Sequence, residues 1–138
     1  MKIYMLALVA LLFGCALQAL EVPQPKIPFS PAVKASNLLF ISGQVGLDSK
    51  TGKLVNHSFE AELRQVMDNL KKQLDEHKLS FDDLVSTTIY LKDMDRYDEL
   101  NKIYGEYFKN KFPSRTCIAV KDLPVKASVE ISGIGLMP

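Results

Sequence analysis

The feature that most constrains the fold is one amphipathic helix set among short apolar segments. Apolar side chains recur at helical spacing between Ser58 and Lys78, which predicts a helix with one buried face. Ser58 can cap its N-terminus, and Glu60 and Glu62 in the first turn suit the positive end of the helix dipole. The apolar stripe comprises Phe59, Leu63, Val66, Met67, Leu70 and Leu74. This stripe is core, so the helix must pack against another apolar layer.

Strand-like segments supply that layer. The predicted order is strand, strand, helix, strand, helix, strand, strand, and four of the strands have bounds, at residues 37–45, 84–91, 116–121 and 127–135. The first should end in a polar, glycine-containing turn, and the last two should form a hairpin through the loop at Pro124. A second helix is predicted from a cap at Asp95 to about Phe108. Its tyrosines have the spacing of core residues, although a ring-stacking platform is the alternative.

The order of these elements indicates an α+β domain with both helices on one face of a sheet. The strands carry apolar residues on both sides, so the second face of the sheet also needs a cover. No predicted element remains to provide it. Self-association of the chain is therefore expected.

Composition excludes several classes of function. The chain has 138 residues, enough for one domain, and a formal net charge of only +1 without a long basic cluster. Nucleic acid is therefore not expected as the main partner. No cluster of His, Cys and carboxylate residues has the spacing of metal ligands, and no glycine-rich phosphate loop is present. We therefore expect no metal site.

The first twenty residues differ from the rest of the chain. A short positive start, an apolar run from Ile3 to Phe13 and small residues after it are typical of a secretory signal. Residues 1–20 are predicted to be that signal, and 21–138 the folded domain. Cleavage after Ala19 would give an exported, periplasmic protein, whereas lipidation of Cys15 would tether it to a membrane. The alternative is an apolar N-terminal helix or uncleaved anchor.

The candidate site centres on Arg115, a cation within an apolar, strand-like tail. Arginine presents a planar fork of donors that matches a carboxylate in two parallel hydrogen bonds. Glu130 follows fifteen residues later, and the predicted hairpin would bring it near residues 117–119. The pair suggests a pocket for a small carboxylic acid with a group that activates water. An exposed arginine at a strand end, or a structural ion pair with Glu130, is the alternative.

Two other segments are weaker candidates. Gly43, in Ser42-Gly43-Gln44, would allow close approach of a ligand or another chain, although a plain turn explains it equally. Cys117 lacks a suitable histidine to generate its thiolate, because His57 and His77 belong to the first helix and its flank. A small apolar cysteine lining a pocket is therefore favoured over a nucleophile.

These motifs resemble one known family. The segments FISGQ (40–44), NKIYGEYF (101–108), FPSRTC (112–117) and VEI (129–131) are similar to the RidA (YjgF/YER057c/UK114) family of reactive intermediate deaminases. The resemblance spans roughly residues 23–138. It implies a chorismate-mutase-like α+β fold of the bacillus type and a homotrimer with its sites at subunit interfaces. It also implies cofactor-independent hydrolysis of enamines and imines, such as 2-iminopropanoate and 2-iminobutanoate, to 2-keto acids and ammonia.

The resemblance also implies roles for particular residues. Arg115 would bind the substrate carboxylate and Glu130 would orient or activate water. The residues that would line the substrate-binding pocket are Phe29, Ser42, Gly43, Asn101 and Cys117. Phe29 stands where the family often has tyrosine, which could reduce activity or shift it to bulkier substrates. Ser132 stands where the family has a second acid, which makes the local electrostatic field less negative. A non-catalytic trimeric binder of small acids or chaperone-like protein is the alternative, and an endoribonuclease or translation inhibitor a weaker one.

Overall fold

The computed structural model describes residues 28–138, where five strands and two α-helices alternate along the chain. The strands are β1 (Ala32–Ala35), β2 (Leu38–Val45), β3 (Leu84–Leu91), β4 (Ser114–Ala119) and β5 (Val129–Leu136). The helices are α1 (Phe59–Glu76) and α2 (Tyr97–Gly105). The element order and the α+β class are therefore as predicted. The predicted signal segment and its cleavage sites lie outside the described residues.

The sheet has the order β1-β2-β5-β3-β4, and only its β3–β4 pair is parallel. The predicted hairpin between the last two strands is wrong, because β3 lies between β4 and β5. Helix α2 forms the crossover that a parallel β3–β4 pair requires. β4 consequently becomes an edge strand, and β5 the centre of the sheet.

Both helices begin as their local sequence directs, with one change in the cap. The Ser58 side chain accepts a hydrogen bond from the backbone N–H of Ala61, which confirms the predicted cap of α1. At the second helix, Asp93 rather than Asp95 is the capping residue. Its carboxylate accepts from the backbone N–H of Asp95 and caps a short 3-10 turn, Met94–Arg96, that leads into α2. The helix then ends at Gly105, three residues earlier than predicted.

The core lies between the two helices and one face of the sheet. The α1 stripe is buried there as predicted, together with apolar residues of β2, β3, β5 and α2. Its members include Leu39, Ile41, Leu63, Val66, Met67, Leu70, Leu74, Ile89, Leu91, Leu100, Ile103 and Ile131. One acid joins them: Glu62 is buried, and its Oε1 accepts a 2.6 Å hydrogen bond from the backbone N–H of Ser128. Glu62 therefore holds the chain just before β5.

The other face of the sheet carries large apolar side chains that remain exposed. Val33 and Phe40, paired across β1 and β2, point to this side, as do Ile118 on β4 and Leu136 on β5. We call it the open face. Its apolar character agrees with the expectation that the second face needs a cover. Within residues 28–138, no helix is long and apolar enough to cross a membrane.

The predicted glycine-containing turn is instead part of β2. The register with β5 shifts by one residue between Ile41 and Gln44, which is a β-bulge at Ser42 and Gly43. The Gln44 side chain donates to the Ser42 carbonyl at 2.9 Å and stabilises the irregular backbone. The bulge shifts by one residue the pairing of β2 with β5 beyond Ile41.

Candidate active site

Arg115 lies on the edge strand β4, on the face that the helices cover. It pairs in register with Thr87, a buried residue whose hydroxyl forms a 2.9 Å hydrogen bond with that of Tyr104 on α2. Cys117 follows two residues later on the same face, as the alternation of β4 predicts. The edge of the sheet and one side of α2 therefore meet at Arg115.

Neutral groups of α2 hold the Arg115 guanidinium in place. Its Nη2 donates to the Asn101 Oδ1 at 2.7 Å and to the Tyr97 hydroxyl at 3.1 Å. The centre of the guanidinium also lies 5.6 Å from the Tyr97 ring centroid and 5.2 Å from that of Tyr104, within range of cation–π attraction. These side chains share one side of the helix, since they are spaced by four and three residues.

No carboxylate neutralises Arg115 among residues 28–138, where it forms none of the ion pairs. A half-buried guanidinium surrounded by oxygen and ring π systems keeps its positive charge and most of its donors free. Asn101 and Tyr97 both accept from Nη2, which leaves the N–H groups of Nε and Nη1 free to donate to an anion.

A cavity of about 340 Å³ opens beside the guanidinium. Its walls come from the end of α2 and the segment that leads into β4: Asn101, Tyr104, Gly105, Phe112, Pro113 and Arg115. The polar end of the cavity contains Arg115 and Asn101, and the rest is ring, proline and glycine. This division suits a ligand with one anionic end and one apolar end.

Glu130 lies on the open face, away from that cavity. It pairs with Tyr90 of β3 and Val45 of β2, and its carboxylate packs over the bulge, where a Cβ added to Gly43 would lie 1.8 Å from the Glu130 Oε1. Burial raises the pKa of this carboxyl above its ordinary value of 4.5. Its proton affinity is thus increased toward the range useful for transferring protons near neutral pH.

Arg115 and Glu130 therefore do not meet within one chain. The two side chains project from opposite faces of the sheet, and β3 lies between their strands. On β3, Arg115 pairs with Thr87 and Glu130 pairs with Tyr90. The offset is roughly 10 Å along the strands and roughly 10 Å across them. The structural ion pair considered from the sequence is absent among the described residues, and the expected proximity through a hairpin is wrong.

The remaining candidate residues fall into the same two groups. Cys117 stands near Arg115 and is half-buried, and burial raises the pKa of its thiol, which disfavours the thiolate. Phe29 and Gly43 line a second cavity of about 290 Å³ near the bulge, and Phe29 is 60% exposed. Ser42 lies at the bulge as well, where its hydroxyl donates to the Ser30 carbonyl at 2.7 Å.

We call these groups the arginine half-site (Asn101, Arg115 and Cys117) and the glutamate half-site (Phe29, Ser42, Gly43 and Glu130). Sequence reasoning missed Tyr97 as a member of the first, because it assigned the tyrosines of the second helix to core packing. Tyr104 is indeed buried, but Tyr97 is 36% exposed and contacts the guanidinium. The four-residue spacing of Tyr97 and Asn101 could have shown that both face one ligand group. Among residues 28–138, no group of three or more His, Cys, Asp or Glu is placed to hold a metal ion.

The fold and the two half-sites define a class of small α+β proteins, and similarity to known proteins identifies the family. The family model described as Endoribonuclease L-PSP matches residues 19–137. A RutC family protein of Pyrococcus horikoshii is 40% identical over 83% of this chain and 90% of its own length. This chain belongs to the RidA (YjgF/YER057c/UK114) family, which includes reactive intermediate deaminases.

Two further similarities relate the family to an activity and a structure. The human protein named 2-iminobutanoate/2-iminopropanoate deaminase is 34% identical over 79% of this chain and 80% of its own length. The crystal structure of RidA from the Antarctic bacterium Psychrobacter sp. superposes with a TM-score of 0.78 at 31% identity, covering 83% of this chain and 93% of the other. The expected family fold is thereby confirmed.

Proposed function

We propose that this protein hydrolyses reactive enamine and imine intermediates, such as 2-iminopropanoate and 2-iminobutanoate, to 2-keto acids and ammonia without a cofactor. The observation that carries the proposal is the Arg115 guanidinium, which is positioned by Asn101 and Tyr97 and unpaired with any carboxylate in residues 28–138. The named deaminase among its relatives supports the same reaction.

The arginine half-site accounts for substrate binding. The free N–H groups of Arg115, on Nε and Nη1, would bind the substrate carboxylate, which places the neighbouring imine carbon beside the guanidinium. Cys117, two residues along the same face of β4, would line the site as a small apolar wall. This arrangement explains why the substrate must be an acid.

The glutamate half-site accounts for the water chemistry. In the proposed reaction an enamine first tautomerises to the imine, which is protonated on nitrogen, and water attacks the imine carbon. The Glu130 carboxylate removes a proton from that water as the C–O bond forms, and it returns this proton to the nitrogen. The C–N bond then breaks, and Glu130 takes the remaining hydroxyl proton as the C=O bond of the 2-keto acid forms. Ammonia leaves and takes up that proton. A carboxyl whose pKa is raised by burial is suited to these transfers.

A second copy of the chain is needed to combine the two halves. Because Arg115 and Glu130 lie on opposite faces of one sheet, the proposed site takes Arg115 from one copy and Glu130 from another. The exposed apolar side chains of the open face, Val33, Phe40, Ile118 and Leu136, favour burial between copies. We propose a homotrimer, in which each copy would contribute one half-site to each of two neighbours.

Mixing two inactive variants tests the function and the shared site together. Arg115→Ala and Glu130→Gln should each lose ammonia release from freshly generated 2-iminobutanoate. When the two are unfolded together and refolded as mixed oligomers, about a quarter of the sites should combine an intact arginine with an intact glutamate and regain activity. Refolding each variant alone is the control.

The outcomes separate the alternatives. Recovery only in the mixture supports a deaminase with sites shared between copies. Activity in the wild type but none in the mixture contradicts the shared site. A wild-type protein that binds 2-oxobutanoate through Arg115 but releases no ammonia is a binder of small acids, and the deaminase proposal fails.

A further inference from the structure

Gly105 has no structural reason to be glycine. It is the last residue of α2, its φ is not in the positive range, and an added Cβ would have no atom within 4 Å. A glycine in a helix lowers its stability relative to alanine, because glycine loses more backbone freedom on folding. The position thus gives up stability without gaining a turn or a close contact. What the missing side chain does provide is space.

That space is part of the cavity beside Arg115. Gly105 lines the cavity of about 340 Å³ together with Tyr104, Phe112 and Pro113, and these groups are apolar. The walls hold their shape through ring contacts, since the Phe108 ring centroid lies 4.7 Å from that of Tyr104 and 5.4 Å from that of Phe112. The cavity is therefore a preformed, largely apolar recess beside the Arg115 guanidinium.

The volume is too large for the smallest substrates. A water molecule occupies roughly 30 Å³ in the liquid, so the recess could hold on the order of ten such groups. A methyl or ethyl side chain would leave most of it filled with water against apolar walls. A branched or aromatic side chain would displace that water and bury apolar surface, at about a fourfold gain in affinity for each buried CH₂ group.

We propose that this recess binds the substrate's side chain, and that Gly105 sets a preference for 2-imino acids whose apolar side chain is longer than ethyl. The inference rests on the proposed role of Arg115 as the carboxylate receptor. With the carboxylate held by Arg115, the substituent on the imine carbon is directed along Tyr104 and Phe112. Gly105 is then the residue that determines how long this substituent can be.

Binding of stable 2-keto acids tests the preference without requiring turnover. Calorimetry on the wild type should show 4-methyl-2-oxopentanoate binding at least tenfold tighter than 2-oxopropanoate. Gly105→Leu should remove that advantage by filling the recess, so that the two acids bind with similar affinity. Gly105→Ala should be intermediate. Lys102→Leu, which adds the same side chain at an exposed position of α2 outside the recess, is the matched control.

Two results would overturn the inference: equal binding of both acids by the wild type, or a size preference that Gly105→Leu leaves unchanged. Deamination assays on the corresponding imino acids keep this question apart from the proposed function. Size-dependent binding without ammonia release would retain the role of Gly105 and refute the deaminase. Ammonia release from all imino acids without a Gly105-dependent size preference would support the deaminase and refute the role of Gly105.

Discussion

Arg64 and Arg115 show how differently one fold can use the same side chain. Arg64 on α1 donates from Nε to the Glu60 carboxylate at 2.9 Å and from Nη1 to that of Glu106 at 2.8 Å. These hydrogen bonds, with that to Glu106 foremost, raise the pKa of Arg64 and lower that of Glu106. Arg115 is held just as closely, but by an amide oxygen and a phenol. The first cation is neutralised within the chain, and the second remains available to a ligand.

The same contrast applies to the carboxylates. Glu106 has an arginine partner, and its pKa is lowered. Glu130 has no cation within an ion-pair distance among residues 28–138, and burial raises its pKa. The charges of Arg64 and Glu106 are paired with each other, whereas the charges of the two half-sites are held apart on opposite faces. Unpaired and positioned charge is what a site for acid substrates needs.

The largest effect is expected from Glu130→Gln. Loss of the general base should lower kcat/KM on the order of 10³-fold, with little change in the binding of 2-oxobutanoate. The wild-type rate should fall on the acidic side with an inflection above pH 4.5, as the raised pKa requires, and the variant should lose this inflection. Steady-state assays of ammonia release across pH measure both, and an unchanged acidic limb in the variant would contradict the assignment.

The thermal stability of Glu130→Gln should not fall with its activity. The folded-state pKa of Glu130 is raised, so its contribution to stability is present below the unfolded pKa and is lost as pH rises through the folded value. At pH 7 the wild type therefore carries the cost of a desolvated, charged carboxylate. Glu130→Gln should unfold at the same or a higher temperature than wild type at equal protein concentration. A marked loss of thermal stability would indicate a structural role.

Arg115→Ala against Arg64→Ala tests the comparison directly. Removing the carboxylate receptor should lower kcat/KM on the order of 10²-fold, and Arg115→Lys should recover little, because lysine lacks the planar fork. Arg64→Ala removes two exposed ion pairs, which are worth little in solvent, and should leave kcat/KM within about twofold. Assays of both variants beside wild type decide the matter. Comparable losses in the two would erase the distinction between paired and available cations.

The smallest effect should come from Tyr97→Phe, which keeps the ring over Arg115 but deletes the hydroxyl. A hydrogen bond to a charged group contributes about 1.5 kcal/mol at the lower end, so the guanidinium should become less ordered and KM should rise about tenfold. Since the hydroxyl takes no part in bond breaking, kcat should change much less. Separate determination of kcat and KM provides the test, and an equal fall of kcat would show that Tyr97 acts on the reacting atoms.

Much of the fold followed from local sequence because local forces determine it. The Ser58 cap and the apolar stripe of α1 depend on residues within a few positions of one another, so both are recognisable in isolation. The pairing of β4, in contrast, depends on residues that are far apart in the sequence. The connection from Ala119 to Val129 is long enough either to form a hairpin or to pass over one strand. Which of the two forms depends on which strand occupies the centre of the sheet. β5 takes that position because its burial alternates over nearly its whole length, whereas β4 is largely exposed.

The candidate site, like the fold, could be predicted from the sequence only in part. The residue types of Arg115 and Glu130 indicated their chemistry, since a lone cation and a lone acid in apolar strands are unusual in themselves. Their spacing of fifteen residues suggested proximity, but alternation and the intervening β3 place them on opposite faces. Tyr97 was assigned to the core because helical spacing does not distinguish a buried ring from one at the rim of a pocket. The roles of Arg115 and Glu130 therefore stay predictions, and their spacing along the chain did not reveal on which side of the sheet each lies.

The placement of Arg115 and Glu130 on opposite faces has a consequence for how the protein would behave at low abundance. If each reaction centre requires groups from two copies, the turnover per chain depends on the fraction of chains that are assembled. Dilution below the dissociation constant of the oligomer would then reduce the rate faster than in proportion to protein concentration. If the proposed function is correct, a cell that makes little of this protein would obtain almost no deaminase activity from it, and a modest rise in synthesis would produce a steep gain.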